Sequence, residues 1–184
     1  MRTPKKKHRF FTLLFSLLVL CATPLLAIEN ENAEVSRLLQ EAREKAAVLS
    51  RDADEMEALT RSDVSWETHA SMLDTMKEDI NSLAHTVEKL NAMRNSASTW
   101  QKQAIDRMVP LMRELAANTT AAINHLNEQR TRPTTPEYAE YLRQNSKTSR
   151  QLSDMISSFV DYDQTRAKLA QLEQKFGHNN QASR

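Results

Sequence analysis

The sequence predicts an all-α fold: an up-down-up-down bundle of four long amphipathic helices. A long three-helix, coiled-coil-like bundle is the alternative. Three observations predict it. Glycine occurs once, at Gly177, and every proline except Pro110 lies at a predictable edge. Sheets need turn residues at short intervals, so this composition argues against strands. Abundant Ala, Leu, Glu, Lys, Arg and Gln favour long helices instead. Between residues 66 and 90, apolar residues fall at Trp66, Leu73, Ile80 and Val87, and again at Met76, Leu83 and Leu90. Alternating steps of three and four draw one stripe along a helix and call for partner helices against it. Finally, the stripe shifts phase near Ser62-Asp63, at 95–99 and at 131–135, which divides the chain into four helical stretches.

Ahead of the first helix, residues 1–9 are basic, 10–20 (FFTLLFSLLVL) are apolar, and 21–27 (CATPLLA) end in a small residue. This is the pattern of a secretory signal peptide of bacterial style, and cleavage is expected after Ala27. Leu25 is larger than the usual residue three places upstream. An uncleaved anchor is the alternative, because 10–27 is just long enough for a tilted span. Lipidation at Cys21 is disfavoured by the bulky Leu20. Cys21 is the only cysteine, so the cleaved product has no disulfide.

Residues 1–27 also hold five basic residues (Arg2, Lys5, Lys6, Lys7, Arg9) and no acid. The remainder therefore carries 20 Lys plus Arg against 24 Asp plus Glu. Such a surface lacks the basic field that phosphate contacts need, which argues against a nucleic-acid partner. Membrane contact is expected only through the N-terminal segment, if it is uncleaved.

The first helix is expected over about 32–61, with Val35, Leu39, Ala42, Ala46, Leu49, Ala53 and Met56 as its stripe, widened by Leu38 and Leu59. Its small central residues allow a neighbour to approach closely. A turn near Ser62-Asp63 follows, one of these residues capping a second helix over 64–95. His69 takes the one place in its second apolar row where an apolar residue belongs. Ser98 with Gln101 fits a capping box and opens a third helix over 99–130. Its stripe is Ile105, Met108, Met112, Leu115, Thr119, Ala122 and Leu126, and Pro110 inside it removes one backbone bond and is expected to kink it. After a loop at 131–135, Thr134-Thr135-Pro136-Glu137 offers a cap, an N1 proline and a first-turn acid. The fourth helix is expected over 136–176, longer than the rest, with its last turns overhanging. Gly177 is the expected stop, and 178–184 a disordered polar tail. The bundle domain is thus 28–177. Trp66 and Trp100 start the second and third helices and are expected to lid opposite ends.

Most familiar chemistry is missing. There is no Cys-x-x-Cys-His for covalent haem, no Glu-x-x-His for a di-iron bundle and no His-Glu-x-x-His for zinc. One glycine permits no phosphate-binding loop. No Ser-x-x-Lys or Gly-x-Ser-x-Gly context marks a serine nucleophile. Asn118-Thr119-Thr120 matches a glycosylation acceptor but falls mid-helix.

One constellation remains. Antiparallel alignment puts His69 level with Leu126 and His125, with Tyr141 on the fourth helix and Met56 on the first. Met72, Met76, Thr119, Asn145 and Thr148 follow within a turn or two. One half of the core is therefore expected to be polar, and the other half built from Leu39, Ile80, Leu83, Val87, Leu90, Ile105, Leu152 and Phe159. His69, Met72, Met76, Thr119, His125, Tyr141 and Asn145 are the candidate ligand-binding residues. The competing reading is structural: buried His and Asn set register, and Met fills gaps.

The expectation is an exported protein, periplasmic or secreted, that is no enzyme, carries no cofactor, and acts by binding a protein or by a structural role in the envelope or outside the cell. Its partner would be an envelope protein or a second copy, docked along a residual apolar edge such as Leu38, Leu59, Met72 or Ile123. The alternative is a sensory or carrier bundle holding a small ligand, haem or copper around His69.

Overall fold

The computed structural model describes residues 32–130 and 135–182, with side chains as far as Phe176. The expected signal segment and most of the 131–135 loop lie outside the described residues. The fold is an all-α four-helix bundle. Its helices are α1 (Ala33–Leu59), α2 (Trp66–Ala92), α3 (Thr99–Glu128) and α4 (Pro136–Ala182). Each packs on its neighbour in sequence, and α4 closes the ring on α1. That closure distinguishes four packed helices from the three-helix alternative. Among the described residues no helix is long and apolar enough to cross a membrane.

Local chemistry sets each start. Asn32 caps α1 by accepting from the Glu34 and Val35 amides at 3.0 and 3.3 Å. The cap of α2 is Ser65, whose hydroxyl accepts from the Thr68 amide. This is a correction of two residues: the chain turns over 60–62 and stays extended until Ser65, because Trp66 rather than Asp63 begins the stripe in phase. Ser98 and Gln101 form the expected capping box of α3. Thr135 caps α4, its hydroxyl accepting from the Tyr138 amide at 3.2 Å, with Pro136 at N1. A short 3-10 turn, Arg94–Ser96, links α2 to α3. α3 runs on through the exposed Pro110.

Cross-helix bonds fix an antiparallel register. Arg150 of α4 pairs with Asp54 of α1 at 2.9 Å, and Arg43 of α1 meets Asp161 of α4 at 3.2 Å. Lys45 of α1 donates to Thr86 of α2 at 2.9 Å. Asn145 of α4 donates to Thr119 of α3 at 3.1 Å. Gln101 ties diagonal helices together. Its side-chain carbonyl accepts from the Ser98 amide, and its amide donates to the Asn32 carbonyl at 3.0 Å and the Ser36 hydroxyl at 3.1 Å.

The core divides in two, and the smaller part is itself largely apolar where a polar half-core was expected. The larger cluster joins Leu39, Leu49, Ile80, Leu83, Leu90, Ile105, Leu115 and Leu152 with the small Ala42, Ala46 and Ala104. The smaller gathers Met56, Leu73, Ala122, Leu126, Tyr138 and Leu142. Buried Thr119, Asn145, Thr148 and Ser149 fall between or beside them. Each fully buried Leu or Ile contributes about 1.5–3 kcal/mol through removal of apolar surface from water. Trp100 and Trp66 do cover opposite ends, Trp100 nearly buried and Trp66 packed on the smaller cluster.

α4 departs from expectation at its end. It continues through Gly177 to Ala182, and no glycine takes a positive φ, so Gly177 forms no left-handed stop. Trp100, at the start of α3, meets Tyr162 edge-on with ring centroids 5.7 Å apart. The 20 residues of α4 beyond that level extend for about 30 Å.

Candidate functional site

His69 is wholly buried, one turn into α2. Its partner is Tyr138, in the first turn of α4 and also wholly buried, with the phenol oxygen 3.3 Å from His69 Nδ1 and the rings edge-to-face. Burial raises the Tyr138 phenol well above its usual value. It therefore stays protonated and is assigned as the donor to Nδ1, which leaves the imidazole proton on Nε2. That Nε2 has no hydrogen-bond partner among the described residues. Burial also lowers the His69 pKa from its ordinary value, because the charged ring loses its hydration.

His125 of α3 stacks on the same tyrosine, with centroids 6.0 Å apart and planes 23° apart. Its Nε2 lies 2.7 Å from the Thr135 hydroxyl, the group that caps α4. Hydrogen bonds and one ring stack thus link the Thr135 cap, His125, Tyr138 and His69, knitting α2, α3 and α4 at one end.

The structure brings together part of the candidate set. His69 and His125 share one cluster, and His125 is turned inward with its side chain 12% exposed. Thr119 and Asn145 form a separate buried pair, and Asn145 Oδ1 has no partner among the described residues. Met76 belongs to the larger apolar cluster, while Met72 packs at the margin of the smaller one. Tyr141 does not enter the core. It is half-buried, meets His125 edge-on, and donates to Glu137 at 2.8 Å. Tyr138 holds the inward place instead. The row Tyr138, Asn145, Leu152, at steps of seven, is fully buried, and extending the Asn145–Leu152 spacing back one heptad finds it.

Two further features were illegible as sites. Asp79 of α2 faces Asp52 of α1. Burial and the neighbouring Asp52 carboxyl push its pKa up to about 6. Opposite in sense, Glu41 is held down to about 2 by hydrogen bonds from Lys45 one turn on in α1 and from Thr86 across the α1–α2 seam.

The anticipated apolar edge is mostly consumed by packing. Leu38 is buried, and Leu59, Met72 and Ile123 lie partly buried against the smaller cluster. Exposed apolar surface gathers on α4 instead: Tyr162, Leu169, Leu172 and Phe176 are 48, 56, 41 and 65% exposed. Adjoining them is a groove between α3 and α4 lined by Trp100, Gln103, Arg107, Met155, Phe159 and Tyr162. Arg107 lies over the Phe159 ring, and Arg166 over Tyr162. Among the described residues no group of three or more His, Cys, Asp or Glu is placed to hold a metal ion. No family model, curated protein or solved structure matches the chain.

Proposed function

We propose that this chain is an exported, non-enzymatic helical bundle that works by docking a protein on the outer end of α4. The observation that carries the reading is the exposed apolar row Tyr162, Leu169, Leu172 and Phe176, continuous with the aromatic groove beside Trp100. Water-exposed aromatic and leucine side chains on one helix face favour association when a partner covers them. Export rests on the pattern of residues 1–27, and the mechanism is burial of that face without chemistry.

The test is a photoreactive side chain at position 172 in the native host, with Val48, an exposed apolar residue elsewhere, as control. The reading expects a specific cross-linked protein from position 172 and none from 48, lost in the double variant Leu169→Glu/Phe176→Glu. Equal yields from both positions would overturn it.

The unpartnered His69 Nε2–H donor and Asn145 Oδ1 acceptor favour a second reading, a carrier of a small polar ligand. Native mass spectrometry of host-derived protein tests it. A stoichiometric adduct lost in Asn145→Leu supports it, and apo mass alone rejects it.

A further inference from the structure

We propose that the occupant of the α4 face is a second copy of this chain, docked antiparallel about a two-fold axis beside Leu169. The inference rests on the reading of α4 as a docking surface and names what covers it. Its basis is a symmetry in the spacing of the exposed face. Met155, Phe159, Tyr162, Arg166, Leu169, Glu173 and Phe176 follow one another at alternating steps of four and three, so they share one stripe of α4. Tyr162 and Phe176 lie seven residues to either side of Leu169. Arg166 and Glu173 carry opposite charge at nearly equal distances from it.

An isologous contact pairs each residue with its mirror across the axis. Antiparallel α4 helices centred on Leu169 put Phe176 of one copy level with Tyr162 of the other. There the groove lined by Trp100, Arg107, Met155 and Phe159 opens, bounded by rings that can receive a phenylalanine. The same register brings Arg166 beside Glu173 of the second copy, twice by symmetry, and places Asp163 level with Lys175. A parallel pairing would set Phe176 against Phe176 beyond the start of α3, leave both grooves unfilled, and bring Arg166 level with Arg166. The projecting ends are long enough for the antiparallel contact, since α4 runs about 30 Å past the level of Trp100. The contact is confined to two helix ends and a pair of grooves, so the association is expected to be weak and reversible.

The experiment is sedimentation of the protein recovered from an exporting host, over a concentration series, with Arg166→Glu, Glu173→Arg and both together. All three changes lie on the projecting end, and unchanged helicity and melting temperature confirm the fold. Wild type is expected to show a monomer–dimer equilibrium. Each single variant should weaken it at least about tenfold, by setting like charges together. The double variant should recover to within a few-fold of wild type. An equimolar mixture of the two single variants should dimerise although neither does alone. Wild type that stays monomeric throughout, or a double variant as weak as the singles, overturns self-docking. The photo-cross-link from position 172 then separates the two readings. A product of twice the chain mass supports the dimer. A product with a different protein overturns it but leaves the docking face intact, and no product overturns both.

Discussion

Acid should unfold this bundle through His69. The ring is neutral in the folded state because burial lowers its pKa from 6.5. In the unfolded chain it titrates normally. The stability from keeping it neutral is therefore fully present above pH 6.5, and is lost as pH falls from there towards the folded pKa. Each pH unit in that window costs at most about 1.4 kcal/mol. Asp79 opposes this. Its folded pKa of about 6 lies above the unfolded 3.8, so its contribution to stability rises as pH falls from 6 towards 4. The cleanest measurement therefore uses Asp79→Asn as the background. Urea unfolding followed by circular dichroism, from about pH 8 to pH 5, should show stability falling in that background. The double change His69→Phe/Tyr138→Phe removes both polar partners at similar volume and should flatten the slope. A slope that persists after the double change would refute the assignment of His69 as a buried neutral ring.

Three other outcomes follow from the same contacts. Asp79→Asn should stabilise the protein by about 1 kcal/mol at pH 7, because it relieves the carboxyl pair with Asp52, and the gain should vanish near pH 4; chemical denaturation at the two pH values checks it. Thr119→Val alone should cost about 1–3 kcal/mol by stranding the buried Asn145 amide, whereas Thr119→Val with Asn145→Leu should recover most of that loss, read as a double-mutant cycle. Gln101→Leu should cost about 3 kcal/mol, since it leaves the Asn32 carbonyl and Ser98 amide without their side-chain partner; hydrogen exchange should quicken first at the starts of α1 and α3.

The helices were largely legible because the stripes are long and break cleanly. Ser98 with Gln101, and Thr135 before Pro136, announce their helix starts by chemistry that acts within four residues. His69 was legible as an interruption of an apolar row. Its partner Tyr138 is reached from the sequence only by carrying the Asn145–Leu152 spacing back one heptad, which separates it from Tyr141 three residues on. Asp52 and Asp79 carry no such signal. Each reads as an ordinary surface acid, and only the α1–α2 register makes their carboxyls neighbours. The overhang of α4 was foreshadowed by its length, but the groove it adjoins takes Trp100 and Arg107 from another helix. Of the edge expected at Leu38, Leu59, Met72 and Ile123, Leu38 is buried and the other three are partly buried, because four stripes in a closed ring can each bury more than a narrow seam.

Amide hydrogen exchange along α4, in protein recovered from its host, tests the docking face most directly. With a partner on the face, residues 163–176 should exchange slowly in the wild type and rapidly in Leu169→Glu/Phe176→Glu, while 138–160 stay equally slow in both. Rapid exchange of 163–176 in both proteins would contradict a functional role for this end of the molecule.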